Sequence, residues 1–342
     1  MKQIPKILLI YTGGTIGMIM DFKTGALENF NFNELLTYVP ELNLLDCSIS
    51  TKSFKKPIDS SNMNPDYWVR LTTIIEKNYD TYDGFVVLHG SDTMSYTASV
   101  ISFMTENLAK PIIFTGSQLP IGDLRTDAKE NLITSIQLAA LQHKGNPRIA
   151  EVCLYFEYKL YRANRTTKIN AQHFQAFASL NYPPLAESGV ELSINEEALL
   201  IPNRRKKFRV FKELGKGIVL LKMFPGMDAQ TFRHIVSYDE IQGLIIETYG
   251  SGNVTTQTWF LSGLKKLIGR GIPVINVTQC SGGSVNMGLY HTSVALKKLG
   301  VISGKDITTE AAVAKLMYLL GHGISSKSFR TIFETSLRGE MS

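Results

Sequence analysis

Apolar residues fall along this chain in short, nearly continuous runs, separated by longer stretches with a helical repeat. Lys6–Tyr11 (KILLIY), Gly84–His89 (GFVVLH), Pro111–Gly116 (PIIFTG) and Ile149–Phe156 (IAEVCLYF) are such runs, and they suit strands buried on both faces. Between them the periodicity predicts helices over Asn64 to about Asp80, Asp92–Leu108 and Thr126–Lys144. Asn64 is placed to cap the first of these, with Pro65 at its first helical position. Strand, helix, strand in repetition is the grammar of a parallel sheet with right-handed crossovers.

The second half repeats the grammar on a smaller scale. Gly217–Met223, Gly243–Thr248 and Pro273–Gln279 read as strands, and Ala229–Val236, Thr255–Ile268, Thr308–Leu320 and Ser325–Leu337 as helices. From about Ala186 to Gly215 the periodicity fades. This divides the chain into an N-terminal catalytic domain over 1–188, a linker over 189–214 and a C-terminal domain over 215–342. The expected fold class is α/β: a larger N-terminal domain with a mostly parallel, doubly wound sheet, and a smaller C-terminal domain with a parallel sheet. No internal period of solenoid or propeller length is present.

Composition agrees with this division. A chain of 342 residues favours about two domains at roughly 150 residues each. With 44% apolar and 19% charged residues it is of the soluble globular type rather than disordered or collagenous. Cys47, Cys153 and Cys280 are odd in number and widely spaced, which argues against a disulfide framework or a zinc knuckle and for a reducing compartment. The apolar run Ile7–Tyr11 is too short for a secretory signal, and no stretch is long enough to span a membrane. A cytoplasmic protein is expected. The net charge of +6 is densest in NRRKKFR (203–209), which reads as a solvated connector rather than a nucleic-acid surface.

In an open α/β sheet, ligands sit beyond the carboxyl ends of the strands. The residues there are rich in glycine and hydroxyls: Thr12-Gly13-Gly14-Thr15, Gly90-Ser91-Asp92-Thr93, Thr115-Gly116-Ser117-Gln118 and Tyr249-Gly250-Ser251-Gly252-Asn253. These segments are expected to converge on one crevice. Thr15, on a turn opened by glycines, suits a nucleophile. A threonine hydroxyl needs a neighbouring base and donors for a developing oxyanion, and Ser91, Asp92 and Lys168 (in NRTTK) are the groups on offer. The glycine spacing after the first strand matches neither the dinucleotide nor the P-loop fingerprint. Tight turns alone would account for any one loop taken singly. No histidine pair has metal-ligand spacing, no GxSxG elbow occurs, and His89 reads as a packing or hydrogen-bonding group at a strand end.

TGGTIG (Thr12–Gly17), HGSDTM (His89–Met94), TGSQLP (Thr115–Pro120) and NRTTK (Asn164–Lys168) together resemble the bacterial L-asparaginase family. DSSNM (Asp59–Met63), FASLNYPPL, VTQCSGGSVNMG and LRGE are similar to its cytoplasmic type I branch, and the resemblance covers essentially the whole chain. It implies hydrolysis of the side-chain amide of L-asparagine to L-aspartate and ammonia, with minor activity on glutamine and no cofactor. Thr15 then attacks to form an acyl-enzyme, and Ser91, Asp92 and Lys168 match the second catalytic group. Ser60 and Ser61 match the positions that hold the substrate α-carboxylate, and Asp92 the α-ammonium. Asn253 matches a residue contributed by a neighbouring subunit, which implies a homo-oligomer, a dimer of dimers, with no nucleic-acid or membrane partner.

Three positions depart from the family pattern. Ser91 stands where most relatives have threonine, losing a methyl that restricts rotamers. In the lid, about Gly17 to Asn31, Ala26 follows Gly25 where relatives place a tyrosine, and Tyr11 cannot be assumed to replace it. Glu247 stands where some type I relatives carry an arginine of a regulatory asparagine site, so no such regulation is expected. Two other readings are distinguishable. An amidotransferase subunit carries an added N-terminal domain, whereas Thr15 is nine residues past Lys6. A noncatalytic amino-acid sensor would keep its binding when Thr15 is removed.

Overall fold

The computed structural model describes residues 4–20, 27–29, 39–288 and 291–342. The chain forms two compact units, 1–212 and 213–342. Ala26 and most of the expected lid lie outside the described residues.

The N-terminal unit is built on an eight-stranded sheet. Its strands are β1 (Lys6–Tyr11), β2 (Ser48–Ser53), β3 (Gly84–Leu88), β4 (Ile112–Thr115), β5 (Val152–Phe156), β6 (Lys159–Arg162), β7 (Ala186–Ser188) and β8 (Leu192–Ile194). Their spatial order is β8-β7-β6-β5-β4-β3-β1-β2. The five strands from β5 to β2 are parallel, as the continuous apolar runs of β1, β3, β4 and β5 predict, and β6, β7 and β8 continue the sheet antiparallel. The chain leaves β1 first toward β2 on one side and then returns to β3 on the other. This reversal is a topological switch point, where the carboxyl ends of β1 and β3 leave an opening.

Helices α1 (Pro65–Asn78), α2 (Met94–Met104) and α3 (Ala128–Ala140) form the crossovers. The side chain of Asn64 accepts from the amides of Asp66 (3.0 Å) and Tyr67 (3.3 Å), so α1 starts where the cap and Pro65 predict. Every residue of α2 except Tyr96 is buried, which its run of apolar and small residues permits. Trp68 of α1 donates its indole N–H to Thr97 Oγ1 of α2 at 3.1 Å.

β5 turns back into β6 through Glu157 and Tyr158, at φ 47° and 67°. Two left-handed residues make a type I′ hairpin without its usual glycine or asparagine, and Asn131 Oδ1 accepts the Glu157 amide at 3.1 Å to hold it. The linker expected over 189–214 is largely part of this unit. Within it, β8 belongs to the sheet, and Arg209–Val210 pairs with Thr105–Glu106. The Arg204 guanidinium donates to the carbonyls of Ala109 (3.1 Å) and Pro147 (3.0 Å), and Phe208 stacks on Tyr79 with centroids 3.7 Å apart. The division between units therefore falls after Lys212, with Arg205, Lys206, Lys207 and Arg209 left facing solvent.

The C-terminal unit carries β9 (Ile218–Lys222), β10 (Gly243–Thr248), β11 (Val274–Thr278) and β12 (Ile302–Ser303), all parallel and in sequential order. Its helices are α4 (Ala229–Ser237), α5 (Thr258–Gly269), α6 (His291–Leu299), α7 (Thr309–Gly321) and α8 (Ser326–Phe333). α8 stops four residues short of the expected Leu337, and the amides of Leu337 and Arg338 turn instead to the Glu340 carboxylate. Glu340 in turn pairs with Lys315 of α7, both fully buried, and the Lys315 ammonium also donates to the Thr335 carbonyl at 2.7 Å. No helix among the described residues is long and apolar enough to cross a membrane.

Candidate active site

At the switch point the loops touch backbone to backbone. Gly13 has φ 137° and Gly14 φ 96°. A Cβ on Gly13 would run into the backbone of Ile58, and one on Gly14 would lie 2.5 Å from the Gly90 nitrogen. A Cβ on Gly90 would come within 2.6 Å of Ser60 Oγ, and one on Gly116 would strike the His89 carbonyl. Glycine is required at Gly14 twice over, for its left-handed conformation and for the close approach. Hydrogen bonds complete the seam: the Ile58 amide to the Thr12 carbonyl (2.9 Å), the His89 amide to the Thr115 carbonyl (2.9 Å), and Thr93 Oγ1 to the Ser60 carbonyl (2.7 Å).

Three of the four expected loops thus converge, joined by the Asp59–Met63 segment. The fourth, Tyr249–Asn253, belongs to the C-terminal unit. There Asn253 closes a tight loop, its amide donating to the Tyr249 carbonyl at 2.8 Å.

Thr15, half-buried, opens a single 3₁₀ turn directly after the Gly13-Gly14 pair. The Tyr11 phenol lies beneath it, 3.4 Å from the Gly14 carbonyl and 3.3 Å from that of Gly17. Burial pushes this phenol up to about 12, so it stays neutral and braces the turn. The Gly14–Gly90 contact sets Thr15 and Ser91 one residue beyond the seam on either side. Ser91 Oγ accepts from Lys168 Nζ at 2.8 Å, and Lys168 also donates to Asp92 Oδ1 at 2.7 Å. The Lys168 side chain is 18% exposed and that of Asp92 65%, so the ammonium is sheltered while the carboxylate faces the opening. Such a cation beside a hydroxyl stabilises negative charge developing on the oxygen.

Ser60 is buried with its hydroxyl against Gly90, and Ser61 is exposed beside it. Asp59 Oδ1 accepts both the amide (2.9 Å) and the hydroxyl (2.5 Å) of Ser61, and these bonds lower the Asp59 carboxyl below its ordinary value. Of the two serines expected to serve a substrate carboxylate, Ser61 therefore already holds one with both its amide and its hydroxyl.

His89 is buried, with Nδ1 2.7 Å from the Gly90 carbonyl. Burial outweighs that bond and pulls the imidazole down to about 4, so the ring is neutral and Nδ1 is the donor.

Gln118 and Asp127 also belong to this site, although nothing in their motifs assigns them a chemical role. Gln118 Oε1 is 3.4 Å from Ser91 Oγ, and its Nε2 donates to the carbonyls of Ala171 (3.3 Å) and His173 (2.9 Å). The Asp127 carboxylate accepts the amides of Gln118 and Leu119, at 3.0 to 3.2 Å. The usable signal for Gln118 was its place in the TGSQLP loop, just past the end of β4.

A hydroxyl on a glycine turn, with a serine–lysine–aspartate group across the seam, at the switch point of a doubly wound sheet, is an arrangement suited to a hydrolase with a hydroxyl nucleophile. Comparison with known sequences makes this specific. The family described as "Asparaginase, N-terminal" matches residues 6–200, and "Glutaminase/Asparaginase C-terminal domain" matches residues 217–333. The chain belongs to the asparaginase family. It is 40% identical to L-asparaginase 1 of Escherichia coli over 341 residues, covering 99% of this chain and 98% of that protein. It is 38% identical to the mouse 60 kDa lysophospholipase, covering 98% of this chain and 62% of that protein. Among solved structures, L-asparaginase I from Vibrio cholerae superposes with a TM-score of 0.89 at 39% identity, covering 99% of both chains.

Proposed function

We propose that this protein is an L-asparagine amidohydrolase that releases L-aspartate and ammonia. The observation that carries the reading is the Lys168 ammonium bonded to both Ser91 and Asp92, one residue from the Gly14–Gly90 contact that leads to Thr15. Thr15 Oγ attacks the side-chain amide carbon while its proton is relayed through the Ser91 hydroxyl, which gives up its own hydrogen to the departing amide nitrogen; Lys168 stabilises the negative charge that develops on Ser91 Oγ during the relay. The tetrahedral intermediate collapses with loss of ammonia, and water then cleaves the acyl-enzyme to aspartate. The substrate α-carboxylate takes the place of the Asp59 carboxylate on the donors of Ser61, with Ser60 alongside. The outward carboxylate of Asp92 binds the α-ammonium, which fits its exposure. The chemistry needs no cofactor.

L-Glutamine, one methylene longer, is a minor substrate. The active form is a homotetramer in the cytoplasm, with Asn253 reaching the site of a neighbouring copy. Ammonia release from L-asparagine and L-glutamine, measured for the native chain and for Thr15→Ala, tests the reaction. Turnover of asparagine that disappears in Thr15→Ala while asparagine binding persists is the expected result. A native chain that binds asparagine without turning it over refutes the reading. Light scattering that shows an active monomer refutes the assembly.

A further inference from the structure

The Ser91 hydroxyl has one hydrogen to give, and the contacts around it settle where that hydrogen goes. An ammonium can only donate, so Ser91 Oγ accepts from Lys168. The hydroxyl hydrogen must point elsewhere, and Gln118 Oε1 stands 3.4 Å away as an acceptor. The orientation of the Gln118 amide is fixed by its other end. Ala171 and His173 present carbonyl oxygens, which can only accept, so Nε2 must face them and Oε1 must face Ser91. A flipped amide would set oxygen against two oxygens.

Gln118 is itself held from behind. Asp127 clamps the Gln118 and Leu119 amides, while Asn131 Nδ2 donates to both Asp127 (3.2 Å) and the Gly116 carbonyl (3.0 Å). Burial raises the Asp127 carboxyl against the pull of these donors.

We infer that Gln118 is a positioning residue: its side-chain amide orients the Ser91 hydroxyl and ties it to the segment following Lys168. Held this way, Ser91 Oγ keeps a lone pair free for the nucleophile's proton, which it takes up as it releases its own hydrogen to the departing amide nitrogen. The arrangement supplies by hydrogen bonding some of the rotamer restriction that threonine's methyl would give at this position. The inference rests on the catalytic assignment of the Ser91 group proposed above.

A double-mutant cycle tests it with the full chain, measuring kcat and KM for ammonia release from L-asparagine. Gln118→Leu is expected to lower kcat by about 10- to 100-fold with KM little changed. In a Ser91→Ala background the same change is expected to cost less than about twofold, because the group it orients is gone. Ser91→Thr is expected to recover part of the Gln118→Leu loss. Effects of Gln118→Leu and Ser91→Ala that simply multiply, or wild-type kcat in Gln118→Leu, overturn the inference. Full activity in Ser91→Ala identifies a different failure, that of the catalytic assignment itself.

Gln118→Glu covers the case in which the leucine variant does not fold. While neutral, its carboxyl group donates to one carbonyl and still accepts from Ser91. Once ionised, it is repelled by both carbonyls. Its kcat is expected to fall with rising pH through an ionisation that the wild type lacks. A wild-type rate and pH profile for Gln118→Glu overturn the inference.

Discussion

Replacing Gly14 with alanine tests whether the seam between the β1 and β3 loops sets catalysis. Two costs arise from the structure. The backbone at φ 96° disfavours a side chain by about 1–2 kcal/mol. The new Cβ would lie 2.5 Å from the Gly90 nitrogen, where ordinary contact begins at 3.4 Å, so the loops must part by roughly 0.9 Å. The obstructing atoms are backbone, so no rotamer change relieves the clash. Thr15 and Ser91 move apart with the loops, and a misplacement near 1 Å costs about 100-fold in rate, or about 2.7 kcal/mol in the barrier. The assay is steady-state ammonia release from L-asparagine, with a thermal melt of the same preparation. The strain alone is expected to lower Tm by about 2–8 °C. Gly271→Ala is the control: its φ is 80°, but nothing lies within 4 Å of the new Cβ, so it carries strain without a clash. A Gly14→Ala kcat within about twofold of wild type, or an equal loss in Gly271→Ala, would refute the reasoning.

Other consequences can be measured separately. His89 titrates near 4 when folded against 6.5 when free, so its contribution is complete above pH 6.5 and is lost as pH falls toward 4, a total of about 3 kcal/mol. Denaturant midpoints for wild type and His89→Asn between pH 7 and 4.5 check this, and equal acid losses in the two proteins count against it. Glu340→Ala leaves the Lys315 ammonium buried without its partner and is expected to destabilise the C-terminal unit by about 3–5 kcal/mol in urea unfolding. A loss below about 1 kcal/mol contradicts that. Glu247, whose carboxylate accepts from Thr309 Oγ1 at 2.6 Å and lies 3.9 Å from Lys222 Nζ, puts a negative charge at the position where the family resemblance would call for a cation in a regulatory site. Hyperbolic dependence on asparagine is expected, and sigmoidal kinetics abolished by Glu247→Ala would refute it.

The parallel strands and their crossovers were legible because burial on both faces leaves unbroken apolar runs, as in β1 and β3. β2 escaped notice because it is an edge strand, SISTKS, with polar residues facing out. The antiparallel β6–β8 were missed because Glu157-Tyr158 makes a type I′ turn without a turn-forming sequence, and Asn131, far away in the chain, holds it. Residues 189–212 lack periodicity because their paired pieces, Leu192–Ile194 and Arg209–Val210, are only two or three residues long and the rest is held by single contacts, such as Arg204 on two carbonyls and Phe208 on Tyr79. At the site, Thr15, Ser91 and Asp92 announced themselves by following strand ends, and Lys168 by the NRTTK motif. The engagement of Ser61 by Asp59, and the orienting contacts of Gln118, depend on side-chain placement that motif spacing does not encode.

The helix that follows Ser91 and Asp92 has all but one of its residues buried. Catalytic groups commonly ride on segments that open locally, at little cost in free energy. Here the groups proposed for catalysis adjoin a helix so buried that its amides are expected to exchange with solvent only when the core around it comes apart. Heat inactivation and global melting of the N-terminal unit should therefore be one event. An enzyme built this way is made more durable in use by improving its packing far from the cleft, without touching a residue that meets the substrate.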